Sequence, residues 1–180
     1  MSTTGKLLGV VLCGGESRRM GRDKGLIQTD GRPWVLRMGD KLAFHGLPVV
    51  YSINKRQVPA YSAWLSRDRV IIDSDRWAGP LRGILSVHLH YPENDLLAVA
   101  CDMQDLDPTT IDRVITASRQ GNADFYAYEV DGFLQPFCAI YGAAALNHGD
   151  GAKSLRELLN SGVLHRLRGT TAAFRNYNTL

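Results

Sequence analysis

Short apolar runs alternate along the chain with longer stretches in which apolar and polar residues mix. Leu7–Leu12 (LLGVVL) is almost wholly apolar, too short for a typical helix and bounded by polar sequence, so it reads as a buried strand. Val49–Ile53 and Val70–Asp73 are two further runs of this kind. Leu96–Ala100 (LLAVA) is a fourth and leads straight into Cys101-Asp102. Between them, Pro33 opens a helix to about Phe44 and Pro80 one to about Tyr91, because proline fits the first helical turn. Asp107-Pro108 has the form of a cap followed by a first-turn proline, for a helix to about Ser118. Strands alternating with helices predict an α/β fold, with a parallel or mostly parallel sheet covered on both faces.

The second half is less regular. Asp124–Val130 and Gln135–Tyr141 are expected as two strands joined by a turn at Asp131-Gly132. Ser154–Leu159 (SLRELL) is expected as a short helix and Ala172–Phe174 as a last short strand. The sequence shows no internal repeat, low-complexity tract or linker, so residues 1–180 are expected to form one domain. In open sheets of this class, ligands sit outside the carboxyl ends of the strands. The polar clusters after Leu12 and after Ala100 lie at two such ends, which puts both in one candidate site.

Composition narrows the function without naming it. At 44% hydrophobic and 22% charged, the 180 residues have the balance of an ordinary folded protein. A net charge of +3 gives no reason to expect a nucleic-acid partner, but it suits a protein that handles small polyanions. No apolar run approaches the roughly 18–20 residues of a membrane span, and Leu7–Leu12 is too short for a signal-peptide core. The expected setting is the cytoplasm. Cys13, Cys101 and Cys138 show no metal-ligand spacing and read as free thiols.

The chemistry is concentrated in Leu12-Cys13-Gly14-Gly15-Glu16-Ser17-Arg18-Arg19-Met20-Gly21-Arg22-Asp23-Lys24-Gly25. Glycines let backbone N–H groups converge on an anion, and the cations add charge where a triphosphate would lie. Neither the dinucleotide fingerprint nor the Walker spacing fits these residues. Asp102, a carboxylate directly after a buried strand, is the first choice for a Mg²⁺ ligand, since Mg²⁺ favours one or two carboxylates plus phosphate oxygens and water. Asp107 reads as the helix cap. Cys13 reads as a small buried residue, and Trp34, Trp64 and Trp77 as packing. None of the five histidines has a partner at catalytic spacing.

The motif Leu-x-Gly-Gly-x-Ser-x-Arg-Met-Gly-x-Asp-Lys resembles the signature loop of the molybdenum cofactor nucleotidyltransferases, within the sugar-nucleotide pyrophosphorylase-like superfamily. The resemblance continues in order along most of the chain. It takes in Ser52-Ile53-Asn54, then Asp73 with Gly79-Pro80-Leu81-Arg82-Gly83, then Cys101-Asp102. Gln135-Pro136 and Asn176-Tyr177-Asn178-Thr179 follow. It departs at Arg82, where the family has a small residue, and at Leu180, where the family continues past Asn-Thr into a terminal helix.

The resemblance implies a three-layer α/β/α Rossmann-like nucleotidyltransferase fold, with nucleotide bound by the N-terminal half and acceptor towards the C-terminal half. The implied reaction transfers GMP from GTP to the phosphate of molybdopterin with release of pyrophosphate. Arg19, Lys24 and Asp102 are the implied catalytic residues. Leu12, Cys13, Gly14 and Gly15 would meet the nucleotide, as would Asn54, Asp73, Gly79, Pro80 and Leu81. Gln135, Asn176 and Asn178 would lie near the acceptor or the metal. Lys24 is expected to face solvent until the nucleotide arrives, and Arg18 and Arg22 read equally well as solvated. Guanine is favoured by Gly14-Gly15 and by Gly79-Pro80-Leu81-x-Gly83. The competing readings are a cytidylyltransferase for the same cofactor, a sugar-phosphate nucleotidyltransferase, and a non-catalytic molybdopterin carrier. Expected protein partners are cofactor-synthesis proteins and apo-molybdoenzymes.

Overall fold

The computed structural model describes residues 6–14 and 23–175. Its first strand, β1 (Leu8–Leu12), is buried along its whole length. A short antiparallel ribbon follows, β2 (Gln28–Thr29) with β3 (Arg32–Pro33), turning on Asp30 and Gly31. Both turn residues have positive φ, which an Asp-Gly pair accommodates with little strain. The helix α1 (Trp34–Phe44) then leads to β4 (Val49–Ile53). After the short helix α2 (Val58–Tyr61) come β5 (Val70–Ile72), α3 (Gly79–His90) and β6 (Leu96–Ala100). Then follow α4 (Pro108–Gln120), β7 (Phe125–Val130), β8 (Phe133–Tyr141), α5 (Ala143–Leu146), α6 (Leu155–Leu159) and β9 (Leu164–Arg168).

Among the described residues, seven strands join in one sheet of order β5-β4-β1-β6-β8-β7-β9. The strands β5, β4, β1 and β6 run parallel, β8 is antiparallel to both β6 and β7, and β9 is parallel to β7. Successive side chains of β1 point to opposite faces, so both faces need cover. Val11 lies in the layer that holds Val35, Met38 and Leu42 of α1 and Ile111, Val114 and Ile115 of α4. Val10 and Leu12 pack with Leu81, Ile84 and Leu85 of α3, in a layer that also holds Leu155, Leu158 and Leu159 of α6. The result is the mostly parallel three-layer arrangement that the alternating runs predict.

The ribbon β2–β3 and the short helices α2 and α5 are additions to the sequence reading, and two expectations at the C-terminal end are changed. Ala172–Phe174 is a turn, although Ala173 and Phe174 are buried and the Phe174 ring lies 5.1 Å from that of Tyr128. Their apolar character serves packing and not a ladder. The last strand is instead β9, whose polar sequence LHRLR suits an edge paired on one side only. In β8 the register against β7 slips between Tyr126 and Tyr128, and Cys138 there has φ 53°.

Candidate active site

The strand order reverses about β1. The chain adds β4 and β5 on one side and returns through α3 to place β6 on the other. Carboxyl ends next to such a reversal form the usual ligand crevice of open α/β sheets. Four of the expected site segments follow these ends: Cys13-Gly14 after β1, Asn54 after β4, Asp73 after β5 and Asp102 after β6.

Lys24 and Asp102 meet there. Lys24 Nζ donates to Asp102 Oδ2 at 2.8 Å, with the side chains only 17% and 13% exposed. Lys24 therefore does not face solvent as expected, because Asp102 offers its ammonium a carboxylate at the same sheet edge. Asp102 is fixed from behind. Cys101 N–H donates to the Leu12 carbonyl at 3.1 Å, and Gln104 Nε2 to the Cys101 carbonyl at 2.8 Å. Gln104 also accepts from Arg37 Nε at 3.2 Å, which ties the loop to α1.

On the β5 side, Asp73 is 8% exposed and accepts from Ser52 Oγ at 2.5 Å. Burial pushes its carboxyl above the usual carboxylate range, against the opposing influence of the Ser52 bond and of Arg82. Gly14 lies directly against it: a Cβ on Gly14 would stand 2.3 Å from Asp73 Oδ2. A Cβ on Gly83 would meet Ser52 Oγ at 2.5 Å and Leu12 Cδ2 at 2.6 Å, so that glycine lets α3 approach the sheet. Arg82 donates through Nε to the Trp77 carbonyl at 2.7 Å and so braces the turn before α3.

The other expected contacts are placed more indirectly. The side chains of Leu12 and Leu81 are in the core, so a ligand could meet only their backbone. The backbone of Cys13 already bonds within the protein, its N–H to the Ser52 carbonyl at 2.9 Å and its carbonyl to Gln57 Nε2 at 2.9 Å. Burial and the neighbouring Cys101 hold the Cys13 thiol protonated, in keeping with a packing residue. Asn54 Oδ1 accepts from the Arg56 and Gln57 N–H groups, capping the turn that follows. Gly79 has φ 59° and, with Pro80, begins α3. Gln135 lies on β8, which runs antiparallel beside β6, and its amide bonds the Phe133 carbonyl at 3.1 Å. Gly15, Arg19, Asn176 and Asn178 lie outside the described residues.

Four of the five histidines are engaged in other contacts, His90 among them with the Ser86 carbonyl at 2.9 Å. His88 bonds Asn147 at 3.0 Å, His45 approaches Asp112 at 3.5 Å, and the His165 ring lies 5.5 Å from that of Tyr126. Among the described residues, no group of three or more His, Cys, Asp or Glu side chains is gathered to hold a metal. A divalent ion here would be one shared between Asp102 and phosphate oxygens, a donor set that suits Mg²⁺.

Sequence reasoning gives no role to Asp23, which stands in the motif beside Lys24, nor to Gln57 and Tyr61, which bond to it. Asp23 accepts from Gly25 N–H at 3.0 Å, Tyr61 hydroxyl at 2.7 Å and Gln57 Nε2 at 2.5 Å. Asn54 and Gln57 stand at capping-box spacing, a signal that could have drawn attention to Gln57.

Comparison with known proteins identifies the family and agrees with the fold. The family model of the MobA-like NTP transferase domain matches residues 9–169. The molybdenum cofactor biosynthesis bifunctional protein of Synechocystis sp. is 34% identical over 78% of this chain, which spans 40% of that protein's length. A probable molybdenum cofactor guanylyltransferase of Methanothermobacter thermautotrophicus is 30% identical, over 93% of this chain and 92% of its own. The solved structure of molybdopterin-guanine dinucleotide biosynthesis protein A from Archaeoglobus fulgidus has the same fold. It superposes with a TM-score of 0.75 at 18% identity, over 95% of this chain and 92% of its own.

Proposed function

This chain belongs to the MobA-like NTP transferase family, and from that premise we propose that it transfers GMP from GTP to the phosphate of molybdopterin. An acceptor phosphate oxygen attacks the α-phosphorus of GTP and forms the new P–O bond. The bond from that phosphorus to the bridging oxygen of the β-phosphate breaks, and pyrophosphate leaves with the electron pair. The product is the guanine dinucleotide form of the cofactor. An acceptor phosphate is largely ionised near neutral pH, so the reaction needs no general base and none of the histidines is assigned one.

The observation that carries this reading is the Lys24–Asp102 pair at the carboxyl ends of β1 and β6. Both reactants are anionic, so the main obstacle is charge repulsion. Lys24 would exchange its carboxylate partner for a phosphate of GTP, and Arg19 would add a second cation. Asp102 would hold Mg²⁺ together with nucleotide oxygens. That ion supplies Lewis-acid neutralisation of the phosphates when bound. Asp73, Asn54 and the Gly79-Pro80-Leu81 turn would frame the base and ribose. The C-terminal half, including Gln135, Asn176 and Asn178, would receive the acceptor. None of the described helices is long and apolar enough to cross a membrane. We place the reaction in the cytoplasm, with cofactor-synthesis proteins and apo-molybdoenzymes as the expected partners.

The test is transfer of label from α-labelled GTP to molybdopterin with stoichiometric pyrophosphate. GTP should outcompete CTP at least tenfold, about 1.4 kcal/mol in binding. Equal or better transfer from CTP would overturn the guanylyl assignment. Binding of molybdopterin with no pyrophosphate released from any triphosphate would make the protein a carrier.

A further inference from the structure

Cys13 and Asp23 meet on one side chain, that of Gln57. Gln57 is 8% exposed, and its Nε2 donates to the Cys13 carbonyl at 2.9 Å and to Asp23 Oδ2 at 2.5 Å. Its Oε1 accepts from Asn54 N–H at 2.8 Å. The amide orientation is fixed by its surroundings, since the nitrogen faces two acceptors and the oxygen faces a donor. Asp23 takes Tyr61 hydroxyl and Gly25 N–H on its other oxygen, and the next residue, Lys24, reaches Asp102.

A capping box alone does not explain a glutamine here. Capping uses only Oε1, and glutamate would cap equally well. Glutamate, however, would give the Cys13 carbonyl no donor and would set a second carboxylate against Asp23. The amide nitrogen is therefore the distinctive feature, and it joins the Cys13 carbonyl to Asp23.

We propose that Gln57 is a positioning residue of the transfer reaction: it ties Asp23 to the Cys13 carbonyl and, through Asp23, sets where the Lys24 ammonium stands beside Asp102. The role in turnover rests on the nucleotidyl-transfer reading above, whereas the clasp itself is a property of the ligand-free protein. Burial pushes the Tyr61 hydroxyl well above its ordinary range, so it remains a donor to Asp23 across the working pH range.

The experiment compares the wild-type chain with Gln57→Glu and Tyr61→Phe between pH 5.5 and 8.5. One readout is amide exchange at Gly25, Leu26 and Ile27 without ligand, as a ratio to wild type at each pH. The other is pyrophosphate release from GTP. At high pH, Gln57→Glu should speed exchange in that segment alone and lower kcat about a hundredfold, the effect of a misplacement near 1 Å, with a smaller rise in KM. As pH falls, the two carboxyls should come to share a proton, restoring one donor. Both deficits should then shrink several-fold. Tyr61→Phe should give a smaller loss that does not vary with pH. A Gln57→Glu deficit that is flat with pH, or exchange that rises across the whole sheet, would overturn the proposal and leave Gln57 a general support of the fold. A wild type inactive with every triphosphate would instead defeat the transfer reading, and exchange alone would still decide the clasp.

Discussion

Lys24 Nζ stands 2.8 Å from Asp102 Oδ2, joining residues 78 positions apart. The cation at the end of the glycine-rich loop is thus already held at the crevice before any ligand binds. Lys24→Ala should lower turnover by about 10²–10³, the range seen when a single transition-state donor is lost. It should also lower stability by about 1–3 kcal/mol, since Asp102 would lose a partner in a mostly buried setting. Thermal melting alongside steady-state rates checks both, and unchanged turnover would remove Lys24 from the site.

Gly14 and Asp73 should be coupled through space. A methyl group at Gly14 would meet Asp73 Oδ2 at 2.3 Å, and Asp73 is buried and bonded to Ser52, so it cannot easily yield. Gly14→Ala should cost about 1–3 kcal/mol by overpacking. Asp73→Ala should relieve part of this, giving a coupling of at least about 0.5 kcal/mol in a double-mutant cycle. Additive effects in denaturant titrations would mean that the two residues do not touch in solution.

Stability should also carry the mark of Asp73. Burial raises its pKa, so the folded protein binds the proton more readily than the unfolded chain. Stability from this group is then greatest at low pH and is lost as pH rises from the ordinary carboxylate range through the raised value. Asp73→Asn should therefore melt higher than wild type at pH 7. The advantage should vanish below about pH 4, where an ordinary carboxyl is itself becoming protonated. A variant that melts lower at pH 7 would show that the charge is stabilised in place.

The parts of this molecule that were legible in sequence depend on local pattern. The runs that form β1, β4 and β6 are apolar because both faces of a central strand are covered, and they stand out for that reason. Asp107 caps α4 through Thr110 N–H at 2.8 Å, a bond that the Asp-Pro start announces. Asp131-Gly132 turns β7 into β8 with positive φ at both residues. The identical dipeptide at Asp30-Gly31 carries the same signal and turns β2 into β3. By contrast, β9 is polar because it is an edge, so its apolar pattern is weak. The Gln57 clasp between Cys13 and Asp23 was illegible for another reason. Gln57 meets Cys13 and Asp23 across 44 and 34 positions, and no local rule reports such distant contacts.

The most direct test of the account is the Mg²⁺ dependence of pyrophosphate release in wild type and Asp102→Asn, with GTP affinity measured in chelator as a second readout. The substitution keeps the size of the side chain and removes the charge that would attract the ion. Asp102→Asn should fold near-normally and lose little metal-free GTP affinity. Its Mg²⁺ response should be weakened and its turnover lowered by ~10²–10⁴, equivalent to about 2.7–5.4 kcal/mol of transition-state stabilisation. A variant that kept the wild-type rate and the wild-type Mg²⁺ midpoint would contradict it, because the crevice between β1 and β6 would then not be where the chemistry occurs.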